Sequence, residues 1–304
     1  MISIVIPVYN ESELVDELIT RLDKVLATLS DNYEMIFVDD GSEDDTVSKI
    51  LERRQLNAKI KILSLSRNFG HQAAITAGME YAKGEYIGLI DCDLQDPPEL
   101  FEEMYGLLKN GQYDVVSGFR SDRKEKEGKR FLIKSFHRLF SQASGLRNIE
   151  QTGHFSMMNR QALSALLSMK EKNRYLPGLR SFMGFRQTQV EYTRQDRLTG
   201  NSKMTFRQLF RLAGDALFSF SKLPLRFCLY LGLVGIIVSL VAGVYVLVSK
   251  VLGWAPLGWS STTISIYFLG SIQLTFLGVM GEYVFRIYKE SQNRPLYFVR
   301  DKYD

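Results

Sequence analysis

Cysteine is nearly absent from this chain. Only Cys92 and Cys228 occur in 304 residues, the first between two aspartates and the second at the head of a hydrophobic span. A structural disulfide is therefore not expected, and a reducing compartment fits. A charge excess is missing too. Lysine plus arginine number 38 against 34 acids, a net charge of +4. That is too mild to argue for nucleic acid, and basic residues clustered near a membrane explain it better. No GxGxxG follows the first apolar run, which excludes a dinucleotide-binding oxidoreductase. The sequence begins directly in a strand carrying Pro7, without a basic lead or cleavage site, so no signal peptide is expected. Internal repeats and low-complexity segments are also lacking, and the length suits one large domain or two modest ones.

What is present begins with four apolar runs. Ile2-Ser3-Ile4-Val5-Ile6-Pro7-Val8 breaks into the polar turn Tyr9-Asn10-Glu11, and such a run suits a strand covered on both faces. Asn10 with Glu13 has the pattern of a capping box opening a helix to about Leu29. Met35-Ile36-Phe37-Val38 ends in Asp39-Asp40-Gly41-Ser42, and Ile60-Lys61-Ile62-Leu63 leads to Ser66-Arg67-Asn68-Phe69-Gly70 and a helix through Ala82. Tyr86-Ile87-Gly88-Leu89-Ile90 ends in Asp91-Cys92-Asp93. Four strand-then-helix units predict a doubly wound, mainly parallel sheet. Two carboxylates one residue apart, at the carboxyl end of a buried strand, sit where such sheets bind ligands. They repel each other unless a cation lies between them, and a hard divalent ion carrying phosphate oxygens would do so.

Beyond Arg226 the composition changes. Phe227 to Ser249 holds no charged residue and Thr262 to Phe285 holds one, Glu282. A bilayer core needs about 20 such residues as helix, so a two-helix transmembrane hairpin is expected. Glu282 lies about one helical turn from Arg286, which can pair with it. The intervening loop holds both tryptophans, Trp254 and Trp259, which favour a membrane interface. Lys222 and Arg226 precede the first span, and Arg286, Lys289 and Arg294 follow the second. The positive-inside rule then puts both termini in the cytoplasm and makes this a multi-pass protein of the inner (plasma) membrane. Met204 to Ser221 has the spacing of an amphipathic interface helix. The expected organisation is a domain over residues 1–203, a juxtamembrane segment over 204–226, and the spans with a cytoplasmic tail over 227–304.

Five stretches, in order, carry a family likeness: Pro7-Val8-Tyr9-Asn10-Glu11, Val38-Asp39-Asp40-Gly41-Ser42, Ser66 through Ala74, Asp91 through Glu99, and Gly200-Asn201-Ser202-Lys203. The chain resembles the family-2 glycosyltransferases of GT-A fold, and within them the polyprenyl-phosphate glycosyltransferases. That resemblance implies transfer of a hexose from a nucleoside diphosphate sugar, UDP-glucose or a related donor, to polyprenyl phosphate, with Mg2+ or Mn2+ as cofactor. Nucleotide-sugar, lipid and membrane are the implied partners, nucleic acid is not, and a homo-oligomer is expected.

The resemblance also distributes roles. Asp93 is the first metal ligand and a catalytic residue, with Asp91 helping through the metal, a water or the ribose. Pro7, Tyr9, Glu11, Asp39 and Asp40 match nucleoside-pocket positions, although capping and turn chemistry would also account for them. Arg67 either binds the nucleotide or pins its loop, and Gln95 and Asp96 sit beside the donor. Arg120, Arg174, Arg197, Ser202 and Lys203 match basic or phosphate-binding positions for the acceptor. The mixed-charge run Gly118 to Arg130 follows a strand end and suggests a loop folding over both substrates.

One departure stands out. Where the family usually has an acidic residue before Phe, this chain reads Gly153-His154-Phe155-Ser156. Three readings are open. His154 is the base, its ordinary pKa near 6.5 suiting that work; or no strong base is needed, because a phosphate with a second pKa of about 6 is already largely anionic; or the sugar differs, or activity is impaired. The last leaves a nucleotide-sugar-binding membrane scaffold as the rival function. A haloacid-dehalogenase-like phosphotransferase is excluded by Gln95 two residues after the second aspartate. A processive synthase would need more spans and a QxxRW-like motif.

Overall fold

The structure, a computed structural model, describes residues 1–120, 152–172, 174–192 and 259–304, with isolated positions between 230 and 252. Contacts gather the chain into two compact units. One holds Met1–Ser141, Gly145–Lys203 and Arg294–Asp304; the other holds Gln142–Ser144 and Met204–Asn293.

The first unit is built on one mixed sheet of eight strands in the order β7-β5-β6-β4-β1-β2-β3-β8. Its strands are β1 (Ile2–Val8), β2 (Tyr33–Asp39), β3 (Ile60–Leu65), β4 (Tyr86–Leu89), β5 (Val115–Arg120), β6 (Thr152–Asn159), β7 (Gln187–Tyr192) and β8 (Val299–Tyr303). The pairs β1–β2, β1–β4, β2–β3 and β5–β7 are parallel, so β6 and β8 alone run against the rest. The four expected strands are all present, and every residue of β1 and β2 is buried, as two-sided cover by helices requires.

The helices are α1 (Val15–Leu29), α2 (Thr46–Leu56), α3 (His71–Tyr81), α4 (Leu100–Lys109), α5 (Arg160–Ser168) and α6 (Leu176–Met183). In α1 the residues Val15, Leu18, Ile19, Leu22, Val25 and Leu26 form the buried stripe that a 3.6-residue repeat produces. They join Ile4, Ile6, Phe37, Phe101 and Phe155 in the core. The expected capping box at Asn10 is not made. The helix begins at Val15 without a side-chain cap. Asn10, at φ 55°, instead accepts a hydrogen bond from the Glu43 backbone N–H, while its own N–H donates to Ser42. The side chain is committed to the neighbouring turn, so it cannot also cap.

β8 pairs antiparallel with β3, so residues 294–304 return to the sheet's edge and belong to the first unit. In the second unit α7 (Trp259–Ser291) runs 33 residues, about 50 Å as helix. Its stretch Phe268–Ser291 is the one helix among the described residues long and apolar enough to cross a membrane. Glu282 and Arg286 pair within it at 2.8 Å. The first expected span, 227–249, lies mostly outside the described residues. Its described positions, Val234, Ile237, Leu240, Val241 and Val244 among them, are helical and exposed. The juxtamembrane segment 204–226 lies wholly outside them.

Candidate active site

Six strands end on one edge of the sheet, and a cleft of about 300 Å³ opens there. It is lined by Pro7, Val8, Tyr9, Glu11, Asp40, Asn68, Gly70, His71, Ala74, Asp91, Cys92 and Asp93. Among these described lining residues four are carboxylates, one is a histidine, and none is lysine or arginine. Of the sequence candidates, Pro7, Tyr9, Glu11, Asp40, Asp91 and Asp93 meet in this cleft.

The walls explain why these residues hold their places. The Asp40 carboxylate accepts hydrogen bonds from the N–H groups of Phe69 and Gly70, at 2.7 and 2.9 Å. It thereby ties the turn after β2 to the loop before α3. Gly41 sits between the two at φ +79°, and a Cβ there would lie 2.9 Å from backbone atoms of Arg67 and Asn68. Only glycine allows that approach. Asp39 accepts from the Ser42 N–H and closes the turn. Burial raises the Asp40 pKa and neighbouring Asp39 adds to the rise, against the lowering effect of the two N–H bonds. Asp39 therefore serves the turn, whereas Asp40 both builds the wall and faces the cleft.

The second wall is Asp91-Cys92-Asp93. Asp93 accepts from the Gln95 N–H, and Leu94 between them takes a left-handed φ of 54°. Such a backbone in a bulky residue is rare and concentrates at functional sites. Cys92 is buried, and its thiol is held well above its ordinary pKa by that burial, then by Glu11, Asp93 and Asp91. A buried thiol is a poor match for a hard divalent ion. The carboxylates are a different matter, because hard oxygens at Asp91 and Asp93 suit magnesium or manganese. No group of three or more ligating side chains is assembled among the described residues. The donor set thus fits a cation held by one or two carboxylates, with phosphate and water completing its shell.

His154 enters from β6, which lies beside β4. The Gln72 amide N–H donates to His154 Nε2 at 3.1 Å, and the His154 ring stands edge-on to His71 with centroids 5.0 Å apart. His71 Nε2 lies 3.3 Å from Asp91 Oδ1. Burial lowers the His71 pKa, but Asp91, with Asp40 and Asp93 beyond it, outweighs that and leaves it raised. Contacts thus run Asp91–His71–His154–Gln72, and of these Asp91 and His71 line the cleft. Sequence reasoning missed His71 and Gln72 as site residues. Their position, immediately after the loop and at the N-terminus of α3, was the available signal.

Other candidates are placed elsewhere. Asp96 is buried and accepts from the Tyr192 hydroxyl, and Gln95 is buried beside it. Arg67 lies over the Phe69 ring at 4.4 Å, pinning its loop. Arg174, expected at the acceptor, has a structural role. Its guanidinium is buried and donates to the Met169 and Leu166 carbonyls, satisfying the end of α5. Arg120 ends β5 in register with Tyr192. The loop 121–130 and residues Arg197, Ser202 and Lys203 lie outside the described residues.

A mixed α/β sheet with an acidic cleft across its carboxyl edge defines an α/β enzyme domain of the ligand-at-strand-ends kind. The chain belongs to glycosyl transferase family 2, whose model matches residues 3–167. It is a glycosyltransferase. It is 41% identical over 303 residues to the glycosyltransferase YkcC of Bacillus subtilis, covering 99% of this chain and 94% of that one. It is also 35% identical over 301 residues to the prophage bactoprenol glucosyl transferase homolog of Escherichia coli, covering 98% of both. The bactoprenol glucosyl transferase of Shigella phage SfV is 34% identical over 303 residues, covering 99% of this chain and 98% of that one.

Proposed function

We propose that this chain moves a hexose from a nucleoside diphosphate sugar, UDP-glucose in the first instance, to polyprenyl phosphate at the cytoplasmic membrane face. The observation that carries this reading is the gathering of Glu11, Asp40, Asp91 and Asp93 around one cleft at the carboxyl edge of the sheet. Clustered hard oxygen ligands suit a divalent cation, and a diphosphate is a ligand that arrives with one. Two relatives similar along nearly the whole chain are named for glucosyl transfer and bactoprenol. The long apolar helix α7 suits an enzyme whose acceptor is a membrane lipid. Two spans with both termini cytoplasmic remain our reading of the flanking charges.

In this mechanism Asp93, with Asp91 beside it, would hold the divalent cation, which when bound neutralises the leaving diphosphate. Pro7 and Tyr9 offer surface for the base, and Glu11 accepts from donor hydroxyls. An oxygen of the lipid phosphate bonds to the anomeric carbon as the bond to the diphosphate breaks, with inversion, and the nucleoside diphosphate leaves. No proton must be removed from an acceptor that is already anionic. His154, whose Nε2 is occupied by the Gln72 amide, then orients the acceptor rather than deprotonating it. Incubating membranes that contain the protein with polyprenyl phosphate and a panel of labelled nucleotide-sugars tests the proposal. One labelled lipid is expected, strongest with UDP-glucose, and its absence with every donor would leave only a nucleotide-sugar-binding scaffold.

A further inference from the structure

A second and larger cavity, about 580 Å³, lies in the same unit between α6 and the strands β5 and β7. It is lined by Ser117, Arg180, Ser181, Thr188 and Gln189 among others, with Glu191 farther along β7. Arg180 is 2% exposed. Its Nη2 donates to the Gly153 carbonyl, while Nη1 is buried with no acceptor. Burial brings its pKa down to about 10, and the one charge-bearing group acting on it is the Tyr175 phenol. Among the described residues no carboxylate forms an ion pair with it, although Glu191 lines the same cavity. The Gln187 amide donates to the Arg180 carbonyl, and Glu191 stands four residues on, about 13 Å along an extended strand.

A buried guanidinium without a counter-ion is costly to keep, and evolution's usual remedy is an oppositely charged partner in the same space. Hydroxyls and amides around such a cation suit a tetrahedral oxyanion, which offers many acceptor lone pairs. The chain bonded to Arg180 at Gly153 reaches His154 one peptide later, and His154 lies against His71 of the acidic cleft. We infer that this cavity is a phosphate-monoester site anchored by Arg180, the place where the acceptor's phosphate is held next to His154. This rests on the proposed acceptor chemistry and adds the residue that binds it.

The test uses the full chain in detergent with EDTA, so that no cation at Asp91 and Asp93 can recruit phosphate. Inorganic phosphate, farnesyl phosphate and farnesol are titrated against the wild type, Arg180→Lys and Arg180→Met, following the thermal midpoint and equilibrium binding. Both phosphates should raise the wild-type midpoint, farnesol should not, and free phosphate should compete with farnesyl phosphate. Arg180→Met should weaken farnesyl phosphate roughly ten- to a hundredfold, the scale of a lost charge-assisted hydrogen bond, with Arg180→Lys intermediate. Without phosphate, Arg180→Met should unfold no earlier than the wild type, since an uncompensated buried charge has been removed. Arg180→Met binding farnesyl phosphate as the wild type does would overturn the site. Binding of inorganic phosphate alone would make it a free-phosphate site and overturn the acceptor assignment. Transfer assays separate the two proposals: glucosyl transfer with an unchanged acceptor KM in Arg180→Met sinks the site and leaves the function. Arg180-dependent phosphate binding without transfer to any lipid does the reverse.

Discussion

The two edges of the sheet in this protein both bury carboxylates, and they do opposite things with them. At the amino edge Glu34, 1% exposed, accepts from the Ser3 hydroxyl at 2.5 Å and the Lys83 N–H at 2.8 Å, and pairs with Lys61 at 2.6 Å. Burial raises its pKa, but Lys61 and the hydrogen bonds outweigh that and leave it lowered. At the carboxyl edge Asp40 is nearly as buried, and its pKa is raised. Asp91 and Asp93 share that edge with Glu11, and Asp91 lies beside His71. A carboxylate paired with a lysine and hydroxyl and amide donors stabilises a fold, while several carboxylates gathered at strand ends suit a ligand that brings a cation. Position along the strands, not residue type, separates structure from function here.

Substitutions at the two edges should therefore separate activity from stability. Asp93→Asn should lower sugar transfer by roughly a hundred- to a thousandfold, the scale of losing a preorganised charge-stabilising group, and should leave the thermal midpoint unchanged or slightly higher. A full-activity variant in magnesium or manganese would end the metal assignment. Chelation of the wild type should produce the same loss, restored by adding the ion back.

At the opposite edge, Glu34→Gln should cost about 1–3 kcal/mol of stability, the cost of leaving buried partners unsatisfied, with nucleotide affinity untouched. The pH dependence carries the sign. A lowered folded pKa means that the contribution of Glu34 is full above its unfolded value, about 4.3, and is lost as pH falls through the folded value. Asp40, raised when folded, contributes the other way: its term is best below the unfolded pKa and is lost as pH rises through the folded one. Denaturant midpoints for Glu34→Gln and Asp40→Asn against pH should diverge from the wild type in opposite directions. Curves that move together would erase the distinction between the edges.

His154→Ala tests the contacts behind the cleft at the carboxyl edge. With the acceptor phosphate supplying its own charge, kcat should fall by about tenfold or less while the acceptor KM rises. A fall of roughly two to four orders of magnitude in kcat, with an acidic limb lost from the pH–rate profile, would instead make His154 the general base.

The smallest effect belongs to the returning tail. Phe298 accepts from the Ser66 N–H through its carbonyl, and its ring meets Phe69 at a tilt with centroids 6.2 Å apart. It therefore braces the loop that carries Asn68 and Gly70 into the cleft. Phe298→Ala should raise the donor KM about two- to fivefold at unchanged kcat, about 0.4–1 kcal/mol. Unchanged donor affinity would show that the loop needs no support from β8.

Local patterns in the chain were enough to determine a good deal. Alternation and length of the apolar runs located β1 to β4 and α7. The acids at strand ends located the cleft, because a parallel strand delivers its carboxyl end to the ligand edge wherever it lies in the sheet. The ordered motifs identified the family. Turn chemistry was only half legible: Asn10 was a turn residue, but which turn it served depended on Ser42 and Glu43 arriving beside it. What the tertiary structure alone decided is the division of labour among like residues. Asp40 faces the cleft while Asp39 closes a turn, Arg174 satisfies a helix end while Arg180 is buried beside a cavity, and His154 meets a helix 82 residues earlier at Gln72. β8 likewise completes the sheet although it follows the long apolar helix in sequence. Each of these rests on contacts between distant segments, whose desolvation and charge balance exist only once the chain has folded, and no local periodicity records them.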